Sequence, residues 1–362
     1  MSSPRRGILA AGNWIIDYTK IIDVYPAQDT LCNILSETYG NGGSPYNLLV
    51  DLARLEAPFP LEALGLVGDD KDGEAIRADC ARHRIDTRQL HTSKEAHTSY
   101  TDVMSVKATG RRTFFHQRGA NALLGPEHFD FTTSQAKFFH LGYLLLLDRL
   151  DQPDAKHGTI AAVILQQARA AGFKTSIDVV SEDSDRFPAL VRPALKHADH
   201  AILNEFEAER SLGMKIRTER GIDSAQLRTA ARQLLEAGDC EWVIIHFPEG
   251  AIAAGRNGQM LAQGSVKIPQ KKIVGATGAG DAFGAGLLYG LHEEKPMEEC
   301  LRYAACVAAA SLTAANCSSG VRTLAECLAL GKECGFRNEP DLKTLPKPLP
   351  ILLPSRGQFP SA

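Results

Sequence analysis

The chain lacks the features that would tie it to a membrane, to nucleic acid or to an oxidising compartment. Its longest mostly apolar run, Phe138 to Leu147, falls well short of the roughly 20 residues that a membrane-spanning helix needs. No charge of one sign dominates, since 40 Lys and Arg against 43 Asp and Glu leave a net charge of −3. That balance excludes the basic stripe through which nucleic acids are held. Arg5-Arg6, Arg111-Arg112 and Lys271-Lys272 are isolated basic pairs and are read as solvated. The eight cysteines include no C-x-x-C pair, which argues against a zinc site, and a chain of this size needs no disulfide framework. They are read as buried small hydrophobes. The stretch after Arg5-Arg6 is broken by Asn13 and Asp17 and shows no small-residue cleavage pattern, so it is not a signal peptide. A cytoplasmic protein without a membrane or nucleic-acid partner is expected. Internal repeats and a Walker Gly-Lys-Ser/Thr loop are also missing.

What is present is an ordinary globular composition, 362 residues that are 44% apolar and 23% charged. Gly7 to Ile16 reads as a buried first strand ending at Asp17. Tyr18 to Val24 and Leu31 to Thr38 follow as alternating strands around the turn residues Pro26 and Asp29. Tyr39 to Ser44 reads as a flexible turn opening a helix, Pro45 to Leu55, with proline suited to its first turn. Ala63 to Val67 is a short strand before a helix through His83, and Thr98–Val106 with Arg112–His116 forms a hairpin. From Ala136 onward strands and helices alternate, which predicts an α/β fold, a doubly wound and mostly parallel sheet flanked by helices. The early strands have no helices between them, so they are expected to form a small sheet projecting from the edge. A folded unit of residues 1–337 is expected, with lid strands from about 17–38 and 98–118, followed by a proline-rich tail, 338–362.

Residues 275–286, Gly-Ala-Thr-Gly-Ala-Gly-Asp-Ala-Phe-Gly-Ala-Gly, carry the strongest functional signal. Ser265 to Pro269 and Ile273-Val274 read as a strand and a short connection before them. Small residues at a helix start let a ligand touch the backbone, where free N–H groups bind anions. Asp281 amid donors for anions then takes a proton from a hydroxyl while the Ala279 and Gly280 amides hold a phosphoryl group. Close packing and a dipole-suited aspartate remain the simpler alternative.

The chain resembles the ribokinase-like (PfkB) family of carbohydrate and nucleoside kinases across about residues 7–335. Gly42-Gly43-Ser44-Pro45-Tyr46-Asn47 with the following helix looks like the family's N-terminal signature, completed by Gly-Leu-Val-Gly-Asp-Asp-Lys-Asp-Gly at 65–73. Asn204-Glu205-Phe206-Glu207 looks like its Asn-x-x-Glu motif, and Ala276-Thr277-Gly278-Ala279-Gly280-Asp281 like its C-terminal signature. The resemblance implies an ATP-dependent kinase acting on a hydroxyl of a small sugar, with Asp281 as base and Gly278, Ala279 and Gly280 forming the anion hole. Asp17, Gly42, Gly43 and Asn47 would bind sugar hydroxyls, with Arg118 and Asn121 as further substrate contacts. Thr277, His246 and Gly250 would lie along the nucleotide. Asn204 and Glu207 would organise Mg²⁺ through water, or else simply cap a helix. The early strands would form a lid that excludes water, and lids of this family pair between subunits, which implies a homodimer by analogy. A nucleoside is the alternative substrate, with Trp14, Tyr46 and Phe115 available to stack on a base. A binding homologue that has lost turnover is the alternative outside enzymes.

Three departures bear on these expectations. The family commonly reads Asp-Thr-Thr-Gly-Ala-Gly-Asp, and Gly275 stands where the first aspartate helps hold a monovalent cation. Asn316-Cys317-Ser318-Ser319-Gly320 replaces a frequent Gly-Ala-x-x-Ser pattern, which further weakens the case for potassium. His246-Phe247-Pro248-Glu249-Gly250 places a proline beside the nucleotide, without a backbone donor, and Ala305 stands where a larger side chain often flanks adenine.

Overall fold

The computed structural model describes residues 4–314 and 317–342. Its strands are β1 (Ile8–Gly12), β2 (Ile15–Ile22), β3 (Ile34–Gly42), β4 (Leu61–Gly68), β5 (Asp86–Ser93), β6 (Ser99–Val106), β7 (Arg112–Gln117), β8 (Phe138–Leu144), β9 (Pro153–Asp154), β10 (Gly158–Thr159), β11 (Lys174–Val179), β12 (His200–Asn204), β13 (Arg217–Thr218), β14 (Gly221–Ile222), β15 (Trp242–Phe247), β16 (Gly250–Gly255) and β17 (Met260–Gly264). The helices are α1 (Ser44–Arg54), α2 (Lys71–Arg82), α3 (Ile160–Ala170), α4 (Phe187–Leu195), α5 (Glu205–Leu212), α6 (Ser224–Glu236), α7 (Ala279–His292), α8 (Met297–Ser311) and α9 (Leu324–Cys334).

Nine strands form one sheet in the order β17-β16-β15-β12-β11-β8-β1-β4-β5, parallel except for β16 and β17. Such a sheet is covered on both faces, so its central strands are apolar throughout rather than alternating. In β1, Leu9 and Ala11 join a core with Leu165 of α3, Val191 of α4 and Leu227 of α6. Ile8 and Ala10 point to the other face, into a core with Leu49 of α1, Leu287 of α7 and Leu301 of α8. Six of the eight cysteines are buried and all are free, as small core residues should be. Among the described residues no helix is long and apolar enough to cross a membrane.

A second sheet, β3-β2-β6-β7, stands apart from the first as the expected lid. Here the structure corrects the reading of the first strand, which breaks at Asn13-Trp14 into β1 of the main sheet and β2 of the lid. The expected turn at Tyr39 to Ser44 is also corrected. β3 pairs with β2 as far as Gly42, and the chain turns only at Gly43, whose φ of 95° favours glycine. Ser265 to Pro269 is not a strand: β17 ends at Gly264, and Val266 makes one isolated bridge to Phe336. The strand β5 and the helix α5 were not expected from the sequence. The start of the expected tail packs back on the domain, with Leu342 against the core and the Arg228 guanidinium donating to Asp341 O. Residues 343–362 lie outside the described residues.

Candidate active site

Ligands in open α/β sheets bind beyond the carboxyl ends of the strands. Here β8, β11, β12 and β15 bring Tyr143, Asp178, Asn204 and His246 to that edge, and all four line one cavity of about 950 Å³. β2 and α1 add Asp17 and Asn47, and the turn into α7 adds Ala276 to Asp281. A second cavity of about 540 Å³ adjoins it, sharing Asn204, His246, Ala276, Ala279 and Gly280. The glycine-rich helix start therefore sits on the boundary between two chambers.

Its backbone is shaped for that position. Gly278 precedes α7 with φ 78°, and a β-carbon there would lie 2.7 Å from Cβ of Cys317, so no other residue fits without movement. The N–H groups of the first turn have no earlier helical carbonyl to bond. Asp281, in that turn, is buried, accepting from Nδ2 of Asn47 at 2.8 Å and from the Tyr143 hydroxyl at 2.8 Å to each oxygen. Burial pushes its carboxyl up to about 6, against the pull of those two donors.

Other carboxyls surround it. Burial and the nearby Asp281 raise Asp17 to about 7, partly offset by a hydrogen bond from Thr101. Burial, with Asp281 and Glu207 close by, also drives Asp178 well above the ordinary range. Its Oδ1 accepts from Val179 N at 2.8 Å, and Oδ2 faces the Ser44 hydroxyl at 3.4 Å. Gly42 leaves room for the Asp17 carboxylate, and Gly43 lets α1 begin against Asn13. Asn204 and Glu207 form a reciprocal cap on α5, each side chain bonded to the other's backbone N–H at 2.8–2.9 Å. The Ser181 hydroxyl also donates to Glu207 at 2.9 Å, and burial lifts Glu207 to about 8.

The smaller chamber is mostly apolar, lined by Ile268, Phe283, Ala305 and Leu312, with Gly250 and the Pro248 turn at its side. His246 stacks on Phe283 with ring centroids 4.9 Å apart, and burial lowers it to about 4, keeping it neutral. Pro248 and Glu249 are the two turn residues between β15 and β16, so the missing N–H breaks no ladder bond. Thr277 falls in the larger chamber.

Several expected contacts are corrected. Asn121 is fully buried, and its amide is consumed by Trp14, accepting from Trp14 N at 3.2 Å and donating to Trp14 O at 3.1 Å. It positions the strand break instead of reaching a substrate. Trp14 and Tyr46 are core residues, Tyr46 donating to Asp79, so neither is free to stack on a base. In β7 it is Phe114, alternating with Arg112 and His116, that lines the chamber rather than Phe115. Arg112, read as solvated, faces the chamber. Arg118 also lines it, though its guanidinium is engaged with Leu145 O, Glu182 and Asp148. Tyr143 and Asp178 went unnoticed in the sequence. Their signal was positional, since both occupy the carboxyl ends of parallel strands.

An α/β domain with two adjoining chambers, a glycine-rich helix start between them and a buried aspartate in its first turn has the build of a group-transfer enzyme. The sequence profile of the pfkB family carbohydrate kinases matches residues 11–324, and the chain belongs to that family. It is 24% identical over 336 residues to a 5-dehydro-2-deoxygluconokinase of Shouchella clausii, covering 90% of this chain and 95% of that protein. It is 27% identical over 303 residues to an ATP-dependent ribose-1-phosphate kinase of Halopiger xanaduensis, covering 82% and 88%. Among solved structures, ribokinase from Giardia lamblia superposes with a TM-score of 0.75 at 18% identity, covering 92% of this chain and all of that one.

Proposed function

We propose that the protein transfers the γ-phosphoryl group of ATP to a hydroxyl of a small sugar or sugar derivative held in the larger chamber. The observation that carries this reading is the placement of Asp281, a buried carboxylate in the first turn of α7 where the two chambers meet. The Asp281 carboxylate takes the proton of the acceptor hydroxyl as that oxygen bonds to the γ-phosphorus. The bond from phosphorus to the β–γ bridging oxygen breaks, and ADP leaves. The N–H groups of Gly280 and Ala279, the latter in a long 3.4 Å contact with Ala276 O, face the charge that gathers on the transferring group. Asn47 and Tyr143 hold the carboxylate in place. Asp17 and Asn47 bind the acceptor's hydroxyls beneath the lid.

Among the described residues no group of three or more His, Cys, Asp or Glu is gathered as a metal cage. That suits Mg²⁺, which is usually held by one or two carboxylates together with nucleotide phosphates and water. Glu207 and Asp178, with Asn204 placing Glu207, are the residues that would hold it. When bound it neutralises triphosphate charge.

The apolar lining of the smaller chamber suits a nucleobase, with Ala305 and Phe283 as its walls. The burial of Trp14 and Tyr46 favours a sugar over a nucleoside as acceptor. A homodimer through the lid is part of the proposal. Among the described residues, apart from Val274, the exposed large hydrophobic side chains are Val24, Tyr25, Leu31, Ile34, Leu35, Tyr39, Phe114 and Phe115, all on the lid or its β2–β3 loop. Free cysteines throughout suit a reducing, cytoplasmic setting.

The test is ADP release from ATP and Mg²⁺ across a panel of sugars, sugar acids, sugar phosphates and nucleosides. Stimulation by a sugar class is the expected result. If sugar and ATP both bind and no acceptor stimulates ADP release, the kinase reading fails in favour of a binding homologue.

A further inference from the structure

The β7 residues lining the larger chamber are Arg112, Thr113, Phe114 and His116, followed by Arg118. The two arginines differ in what they already hold. Arg118 donates to Leu145 O at 2.8 Å, contacts Glu182 at 3.1 Å and pairs with Asp148 at 2.8 Å. Among the described residues the Arg112 guanidinium has no hydrogen bond and no ion pair; the Phe114 ring lies with its centroid 5.7 Å away, and the buried Cys317 thiol is close enough to interact with its charge. Arg112 is nonetheless partly buried, and that burial lowers its pKa. A partly desolvated cation without a counter-ion is unfavourable, and an anion arriving beside it relieves that cost.

The chamber offers no other free positive charge among the described residues. His116 is held down to about 4, first by burial and then by the Arg118 charge, so it stays neutral near pH 7. His246 is neutral for the same first reason. The chamber's Asp17, Asp178, Glu207 and Asp281 are carboxyls and offer an anion no positive charge.

We propose that Arg112 binds an anionic group on the acceptor, so that the preferred substrate is a sugar acid or a sugar phosphate rather than a neutral sugar. The inference rests on the kinase reading above. A guanidinium fork meets carboxylate and phosphate oxygens two at a time, which a lysine in its place would not reproduce. The reacting hydroxyl lies against Asp281 while the anionic group lies under the lid hairpin, so the two are on different parts of the substrate.

The experiment compares kcat/KM for neutral sugars, aldonates and sugar phosphates in the full chain and in Arg112→Gln and Arg112→Lys. The wild type should prefer an anionic acceptor to its neutral analogue by about 10- to 100-fold, the range expected of a charge-assisted pair. Arg112→Gln should remove that preference through the acceptor KM, leaving the ATP KM and the neutral-sugar rate in place, with Arg112→Lys between. A loss shared equally by neutral and anionic acceptors, or confined to the ATP KM, overturns the inference. Thermal shift with gluconate, inorganic phosphate and glucose supplies a readout independent of turnover. Stabilisation by the anions that disappears in Arg112→Gln supports the site, and equal stabilisation of both proteins refutes it. If no acceptor stimulates ADP release, the kinase reading fails separately from this one.

Discussion

The two chambers share a wall and little else. The larger one collects four carboxyls whose pKa values burial raises, at Asp17, Asp178, Glu207 and Asp281. The smaller one is lined by Ile268, Phe283, Ala305 and Leu312 beside a neutral His246. Buried carboxyls are unfavourable and are kept where chemistry requires them, whereas an apolar slot is compatible with ordinary core packing. On the proposed function the reaction belongs to the first side and nucleotide binding to the second, and that division orders the variants that test it.

Asp281→Asn should have the largest effect. Loss of a positioned base costs about 10²- to 10⁴-fold in turnover, with acceptor binding retained, because Asn47 and Tyr143 can still bond to the amide. The same variant should be more stable than wild type above neutral pH. The carboxyl has its pKa raised from 3.8 to about 6 by burial, so the folded state binds this proton more tightly than the unfolded state does. Ionisation therefore removes stability as pH climbs from about 4 through about 6, a deficit of order 1–3 kcal/mol above that window. Calorimetry at pH 5 and pH 8 should find the stabilisation by Asn mainly at pH 8, while wild-type kcat/KM declines below about pH 6 as the base is protonated. Near-normal turnover, or no gain in stability at pH 8, would remove Asp281 from its role.

How much of this contrast was legible before the structure depends on where the information lies. The start of α7 was readable because glycines, a carboxylate and a helix are contiguous there. Asp17, Asn47 and Asn204 with Glu207 were singled out through resemblance, and the structure shows the last two capping α5 while lining the larger cavity. Tyr143 and Asp178 were invisible because nothing beside them in the chain is unusual. Only the parallel pairing of β8 and β11 carries them to one edge. Trp14 misled for a related reason: the break between β1 and β2 turns its ring into the core, where its Nε1 donates to Leu64 O at 2.9 Å. Arg111 and Arg112 looked alike in sequence, and the alternation of β7 separates them.

A substitution in the smaller chamber should give the complementary result. Ala305 lies on α8, almost fully buried at 6% exposure, and its neighbours Ala308 and Ala309 line the same wall. If the smaller chamber takes the base as proposed, Ala305→Phe fills that space and should raise the ATP KM by about tenfold, close to 1.4 kcal/mol. Acceptor KM and the pH dependence of turnover should stay as they were, since no titrating group of the larger chamber is touched. An equal rise in acceptor KM would show that the chambers do not act separately.

The smallest effect is expected from potassium. Gly275 offers no carboxylate beside the anion hole, and its N–H is directed at Leu312 O at 3.3 Å. A candidate replacement is Asp51 of α1, fully buried, with neither carboxyl oxygen hydrogen-bonded. Ser318 lies close enough to pull the Asp51 pKa down, though outside hydrogen-bond geometry, and its hydroxyl is also unpartnered. Burial pushes the Asp51 carboxyl well above its ordinary range, with the charge of Asp281 adding to the effect, so a monovalent cation there would have to displace a proton without the help of the phosphate charge that draws Mg²⁺ to Glu207 and Asp178. Replacing sodium with potassium should therefore change kcat by less than about twofold, under ~0.4 kcal/mol. Activation well beyond that, abolished by Asp51→Asn, would show that a cation does ionise this carboxyl and that the loss of the aspartate at Gly275 has been compensated from α1.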